Sequence, residues 1–220
     1  YKGAQPPEAI AKATVEQFKR YQEAAEGTTS QPQRPMEFPR PRFDQAQRGL
    51  TPTEIGTAVH TVMQLIRPDQ ATTPEGVAEE IARLVAPERL SPEAARSVAP
   101  EPIAAFFNSP LGREAVAAQD LRREFKFSIL TDAGAYDPAA AGEQVMLQGV
   151  VDCFWQEADG IVILDFKTDY IDGDLQLKAV RYAPQLQAYA RALSLIYGLS
   201  VRKCILYFFS AGKAVEIDPE

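Results

Sequence analysis

Gly149-Val150-Val151-Asp152-Cys153-Phe154-Trp155 and, after five intervening residues, Ile161-Val162-Ile163-Leu164-Asp165-Phe166-Lys167-Thr168 are the stretches on which the fold turns. Each is an apolar run rich in β-branched and aromatic residues, and each is broken by one aspartate. Such runs read as core strands, here expected over Val145–Trp155 and Ile161–Thr168. The connection Gln156-Glu157-Ala158-Asp159-Gly160 has hairpin length and ends in Asp-Gly, so the two strands should pair antiparallel. An aspartate inside a core strand costs several kcal/mol unless a cation or hydrogen bonds compensate. Lys167 follows Asp165 by two residues and therefore leaves the same strand face. Two carboxylates and an amine on neighbouring strands suit a hard divalent cation, Mg²⁺ or Mn²⁺, and a water set against a phosphodiester. Taken alone, the triplet also fits a structural reading, since Asp-x-Lys arises by chance and a strand-end aspartate often caps a turn.

Upstream of these runs, Phe125, Phe127 and Ile129 alternate with Glu124, Lys126 and Ser128, the period-2 pattern of a half-buried strand, and a loop is expected over Thr131–Glu143. Before that strand the period is helical. Thr51-Pro52-Thr53-Glu54 is a capping box with proline at the first helical position, predicting a helix to about Ile66. Thr73-Pro74, Ser91-Pro92 and Ser109-Pro110 announce three more starts, and Pro100 and Pro102 interrupt the helix begun at Ser91. Fourteen of the seventeen prolines lie in the first 110 residues, which fits short, sharply bounded helices in that half. Glu8–Glu26 also reads as a helix, with Ile10, Thr14, Phe18 and Tyr21 near helical spacing. Thr28–Arg48, with four prolines, reads as an extended tether. Downstream, Pro184 opens a helix ending at Gly198, and Val201–Phe209 is a last core strand. The fold class expected is mixed α/β, a central mixed sheet flanked by helices with a helical N-terminal half. Residues 1–48 form a helix and proline-rich tether, and 49–220 the main domain.

Composition narrows the function. Hydrophobic residues at 45% and charged residues at 24% are ordinary globular values, which excludes disordered and fibrous classes. No apolar run approaches the roughly 18 residues that span a bilayer, so no membrane partner is expected. The chain opens on Tyr1-Lys2-Gly3 without an apolar leader, read as a fragment or processed product of a cytoplasmic, not secreted, protein. Cys153 and Cys204 are the only cysteines, too few for a four-cysteine zinc or iron-sulfur site, and read as buried hydrophobes. Residues 50–220 hold fifteen Lys/Arg against twenty-four Asp/Glu. That acidic excess argues against a simple phosphate-gripping surface, but a bound cation would reverse the local field.

Two further features add to the aspartates and the lysine. His60, the one histidine, lies beside the apolar stripe of the capped helix, one turn after Gly56, where a glycine permits close approach. Imidazole joined to carboxylates is a sensible ligand set for Mg²⁺ or Mn²⁺, although a lone helical histidine is more often structural. Gln185 and Tyr189 stand at i and i+4, so an amide and a phenol project together. A solvated glutamine and a core tyrosine are the plainer alternative.

Gly56-x-x-x-His60, Gly149-Val150-Val151-Asp152, Asp165-Phe166-Lys167-Thr168 and Gln185-x-x-x-Tyr189, in this order, resemble the RecB-type branch of the PD-(D/E)xK nucleases. Within it they are most similar to the C-terminal nuclease domains of AddA-type subunits of bacterial AddAB helicase-nucleases. The resemblance covers about residues 50–210. It implies a restriction-endonuclease-like core, with Asp152, Asp165, His60 and the main-chain carbonyl of Phe166 holding the metal. Lys167 would be the catalytic amine, Gln185 and Tyr189 would position the DNA strand or the site, and Glu124 resembles the acidic residue of the first strand.

The same resemblance implies an exonuclease working on a single strand from an unwound duplex end, with an AddB-like partner and no iron-sulfur cluster. No Gly-x-x-x-x-Gly-Lys-Ser/Thr loop is present, so ATP would act only through a separate helicase part of the polypeptide. The competing expectation is a catalytically inactive nuclease fold that binds DNA or serves as a scaffold.

Overall fold

The computed structural model describes residues 11–14, 49–135, 140–171 and 173–219. Strand β1 (Ala11–Thr14) precedes five helices: α1 (Pro52–Leu65), α2 (Pro74–Val85), α3 (Pro92–Ser97), α4 (Pro100–Asn108) and α5 (Pro110–Ala117). Then follow β2 (Arg122–Asp132), β3 (Gln144–Glu157), β4 (Gly160–Lys167), α6 (Leu175–Val180), α7 (Ala183–Tyr197), β5 (Val201–Phe208) and β6 (Lys213–Ile217). The mixed α/β class and the helical N-terminal half are as expected. All four helix starts occur where their caps predict. The hydroxyls of Thr51, Thr73, Ser91 and Ser109 accept from the backbone N–H three residues on, and Glu54 closes the capping box on Thr51.

The six strands form one mixed sheet in which β1, β3, β4, β5 and β6 follow in order and β2 pairs with the other edge of β3. The β3–β4 hairpin is antiparallel, and β4–β5 is parallel with α6 and α7 in the crossover. Helices α1 to α5 pack on one face over Trp155, Leu164 and Phe166. There the Phe106 ring of α4 meets Phe166 and Tyr207 edge-on, at centroid distances of 5.2 and 4.9 Å. Helix α7 covers the other face, over Phe154, Ile163 and Leu206. Both cysteines are buried and unpaired, as expected of small hydrophobes. Among the described residues, no helix is long and apolar enough to cross a membrane.

Two expectations need correction. Ala11–Thr14, placed inside the helix expected over Glu8–Glu26, is a strand that pairs in parallel with Val145–Gln148 of β3. Its local helical period yields to a free sheet edge. The rest of that helix, and the tether Thr28–Arg48, lie outside the described residues. The chain also continues past Phe209 into β6, which returns antiparallel along β5.

The sheet has one opening that matters. Pairing of β3 with β4 runs from Glu157 only to Cys153↔Leu164, whereas β4 stays paired with β5 to Lys167↔Phe208. Pairing of β3 with β1 stops at Gln148. Among the described residues, 149–152 therefore have no strand beside them on that edge, and Asp165, Phe166 and Lys167 face the gap.

Candidate active site

At the gap a side chain takes over from the ladder. The Phe166 N–H, which points toward β3, donates to Asp152 Oδ2 at 2.8 Å, so a carboxylate stands where a strand carbonyl would otherwise accept. The other oxygen, Asp152 Oδ1, lies 3.2 Å from His60 Nδ1. His60 reaches it because α1 crosses this end of the sheet at close range. A Cβ at Gly56 would sit 3.0 Å from Thr168 Oγ1, so glycine lets the helix approach without displacing that hydroxyl. The expected close approach at Gly56 is thus made by the residue following Lys167.

Glu124 enters from β2. The pairs Arg123↔Cys153 and Phe125↔Val151 flank it, which sets it opposite Asp152. Its backbone has a positive φ of 52°, unusual for a non-glycine residue and characteristic of strained functional positions. Ligand atoms of His60, Glu124 and Asp152 lie within 4.8 Å of one another, a group that could hold a metal ion. Glu124, placed at the margin by sequence reading, belongs to the centre of the cluster.

Asp165 is 2% exposed. Its Oδ2 lies 2.6 Å from Lys167 Nζ as an ion pair, but the approach is off hydrogen-bond direction, and among the described residues that oxygen accepts no hydrogen bond. Lys167 Nζ also donates to Gln185 Oε1 at 3.1 Å, and Gln185 Nε2 donates to the Tyr189 hydroxyl at 2.9 Å. Since an ammonium only donates, the amide must turn its oxygen to Lys167 and its nitrogen to Tyr189. The i, i+4 pair on α7 is therefore one end of a relay from Asp165 through Lys167. Gly149 makes room for it: a Cβ there would meet the Phe127 ring at 2.7 Å and the Tyr189 ring at 3.0 Å.

Electrostatics follow the crowding of carboxylates. Burial pushes the Asp165 carboxyl up to about 6 despite the pull of Lys167, and it raises Glu124 with help from the Asp152 charge. Burial pulls the His60 imidazole down, but the hydrogen bond and charge of Asp152 outweigh it, and the net shift is upward. An oxygen-rich set with one imidazole, and a buried carboxylate oxygen without a hydrogen-bond donor, fit a hard divalent cation.

Seven of the eight candidate residues line a single cleft of about 570 Å³: His60, Glu124, Asp152, Asp165, Lys167, Gln185 and Tyr189. The eighth, Phe166, sits between Asp165 and Lys167 with its ring in the core. Sequence reading missed two neighbours. Lys126 lines the same cleft. Arg123 donates from Nη1 to the carbonyls of Met63 and Ile66, at 3.1 and 2.8 Å, and ties the end of α1 to the strand bearing Glu124. Lys126 had a legible signal, two residues from Glu124 on an alternating strand, but Arg123 had none.

Residues 33–217 match the family model described as the PD-(D/E)XK nuclease superfamily. The chain belongs to that superfamily. It is 38% identical over 222 aligned residues to the A-type subunit of the ATP-dependent helicase/nuclease of Bacillus cereus (strain Q1), an alignment covering 94% of this chain and 18% of that protein. The subunits of the same name from Bacillus mycoides (strain KBAB4) and Bacillus thuringiensis (strain Al Hakam) are 38% and 37% identical over the same shares. The chain thus spans about a fifth of the length of these curated relatives. The family expected from the four motifs is the family found, and the cleft of this PD-(D/E)XK domain is where those motifs meet.

Proposed function

We propose that the chain is a Mg²⁺-dependent deoxyribonuclease domain, with Mn²⁺ as a substitute, that hydrolyses phosphodiester bonds as the exonuclease part of a helicase-nuclease processing double-strand DNA ends. The observation that carries this reading is the convergence of His60, Glu124, Asp152, Asp165 and Lys167, from α1 and three strands, on the gap in the sheet. The cation would be held by His60, Asp152, Asp165 and the Phe166 carbonyl, with Glu124 beside them. It would supply a polarised water and charge for the nonbridging oxygens of the scissile phosphate. Asp152 keeps the His60 ring turned into the cleft and holds Phe166 in place through its N–H. Lys167, in ammonium contact with Asp165, is placed to orient or deprotonate the attacking water, and Gln185 and Tyr189 hold that amine and the strand beside it.

A helicase part in the same polypeptide, an AddB-like partner, and single-stranded DNA from an unwound end as substrate complete the proposal. The similarity to A-type helicase/nuclease subunits supports them. Work on chromosomal DNA would place the protein in the bacterial cytoplasm. We also propose that residues 49–220 form the nuclease unit and that 1–48 tether it. Removing 1–48 should then leave a cooperative melt, although β3 loses its β1 neighbour.

Digestion of linear and circular DNA by the 220-residue chain with Mg²⁺, Mn²⁺ or EDTA, without ATP, tests the activity. Cutting with either metal and none with EDTA is expected. Binding without cutting under every condition would favour the scaffold reading.

A further inference from the structure

Lys167 has a third neighbour beyond Asp165 and Gln185. Its Nζ lies 4.3 Å from the centroid of the Tyr182 ring. Tyr182 caps the N-terminus of α7, where its carbonyl accepts from Gln185 N and Leu186 N at 3.1 and 3.2 Å. Its hydroxyl donates to Asp169 Oδ2, and its ring approaches Phe208 of β5 at 6.3 Å. The ring is thus pinned at the backbone, at the phenol and at its side. Asp169 is itself anchored, since its carbonyl accepts from Ser210 Oγ at 2.6 Å in the β5–β6 turn. Two residues earlier, the Lys167 carbonyl accepts from Phe209 N at 2.9 Å.

We propose that Tyr182 and Asp169 are a positioning pair for Lys167, with the ring face seating the ammonium and Asp169 fixing the ring. The inference rests on the reading of Lys167 as the catalytic amine. Its logic is a division of partners. Asp165 Oδ2 is an oxygen that a bound cation would claim, and the Gln185 amide is shared with Tyr189. An aromatic face attracts an ammonium through its quadrupole but offers a hard divalent cation no lone pair. It can therefore hold Lys167 whether or not Asp165 is engaged elsewhere. Lysine has a flexible four-carbon stem, so a seat that persists when the carboxylate turns to the cation keeps the amine aimed. Burial first, then Asp169, raises the Tyr182 phenol above its ordinary value, which keeps it neutral and donating.

Three variants of the full 220-residue chain test the pair: Tyr182→Leu, Tyr182→Phe and Asp169→Asn. In the metal-free protein, the Lys167 ε-methylene protons should show an upfield ring-current shift by ¹H–¹³C NMR, assigned with Lys167→Arg. The shift should survive Tyr182→Phe and vanish in Tyr182→Leu. In single-turnover cleavage at saturating Mn²⁺, Tyr182→Leu should lose about 5- to 30-fold and Tyr182→Phe, which keeps the ring face but not its anchor, about 2- to 4-fold, with Asp169→Asn losing no more than Tyr182→Phe because its amide oxygen can still accept from the phenol. Calorimetric Mn²⁺ affinity should stay within about twofold throughout, because no metal ligand is altered.

Wild-type cleavage by Tyr182→Leu would overturn the proposal, as would a Tyr182→Phe rate as low as that of Tyr182→Leu, or Mn²⁺ affinity falling in step with rate. If Tyr182→Leu fails to melt cooperatively, the other two variants decide. A missing ring-current shift in wild type, or normal cleavage by both Tyr182→Phe and Asp169→Asn, would then sink the pair. No cleavage by the unsubstituted chain with any metal would instead remove the nuclease reading, and this inference with it.

Discussion

Among the described residues two charged side chains are almost wholly buried, Glu80 in α2 at 1% exposure and Asp165 in β4 at 2%. They are treated oppositely. Glu80 accepts from Arg67 N and Nε, each at 2.9 Å, and from Arg83 Nε and Nη2 at 3.0 and 2.8 Å, with Arg67 Nη2 beside them. Those donors hold its carboxyl down at about 2. Burial pushes Asp165 up to about 6, and the single ammonium beside it offsets that only in part. Both are closed to solvent and both carry the same charge, but Asp165 lies deep in the sheet whereas Glu80 sits under a cover of arginine side chains, so depth of burial and the donors supplied together separate them. A carboxylate saturated by guanidinium groups fastens α1 to α2, with Arg83 also donating to Leu65 O at 2.9 Å. A carboxylate left short of donors has an oxygen open to the cation proposed above.

The sharpest break between the two comes from deleting each. Asp165→Ala should abolish cleavage, by about 10³-fold or more, and weaken Mn²⁺ binding in parallel, while the metal-free melting temperature holds or rises. A clear loss of metal-free stability would make Asp165 a second Glu80. Next in size, Lys167→Ala should slow single-turnover cleavage by about 10² to 10⁴, with Mn²⁺ affinity kept or increased because a positive charge leaves the cation's side. Metal loss matching that of Asp165→Ala would refute the separation of roles.

Glu80→Gln should act in the reverse sense, costing about 2–4 kcal/mol in chemical denaturation with near-normal cleavage well below the melt. The pH dependence has a definite sign. A carboxyl depressed from 4.5 to about 2 contributes fully above about pH 4.5, and that stability drains away as pH falls toward 2. The variant should therefore show a flatter acid limb than wild type, and an unchanged limb would show that Glu80 is not its source. The smallest effect expected is at Arg123→Met, about 1–2 kcal/mol, since two carbonyls at the end of α1 lose a donor while the side-chain volume remains. Because α1 carries His60, Mn²⁺ affinity should weaken modestly in that variant. Unaltered affinity would separate the clamp from the ligand set.

How much of this was legible in the sequence depended on how local its cause was. Helix starts were legible because a Ser/Thr-Pro cap acts over three residues, and the β3–β4 hairpin because its turn and both apolar runs are contiguous. Strand β1 was not, since Ala11-Lys12-Ala13-Thr14 has no intrinsic strand preference and is drawn into the sheet by an edge 134 residues away. Strand β6 is a single short alternation that gains meaning only beside β5. Within the site, residues interrupting apolar runs announced themselves as Asp152 and Asp165, whereas Glu124 and Arg123 looked like the polar half of an ordinary alternating strand. Glu80 occupies a core position in the stripe Val77, Glu80, Ile81, Leu84, yet the adjacent Glu79 looks identical until Arg67 and Arg83 are placed. Tyr182 carried no signal in the sequence, since its seat under Lys167 needs the crossover closed.

The carboxylate that replaces a strand carbonyl at Phe166 has a practical consequence for anyone trapping a substrate complex. Asp152 is both a candidate ligand and the wedge that satisfies the parted strand, so Asp152→Ala deletes a function and a spacer together. Without it, the Phe166 N–H loses its acceptor and the parted strands lose the side chain that bridges them. An inactive chain made that way would confound lost chemistry with an altered cleft. Lys167→Ala leaves the wedge standing, and it is the better bait.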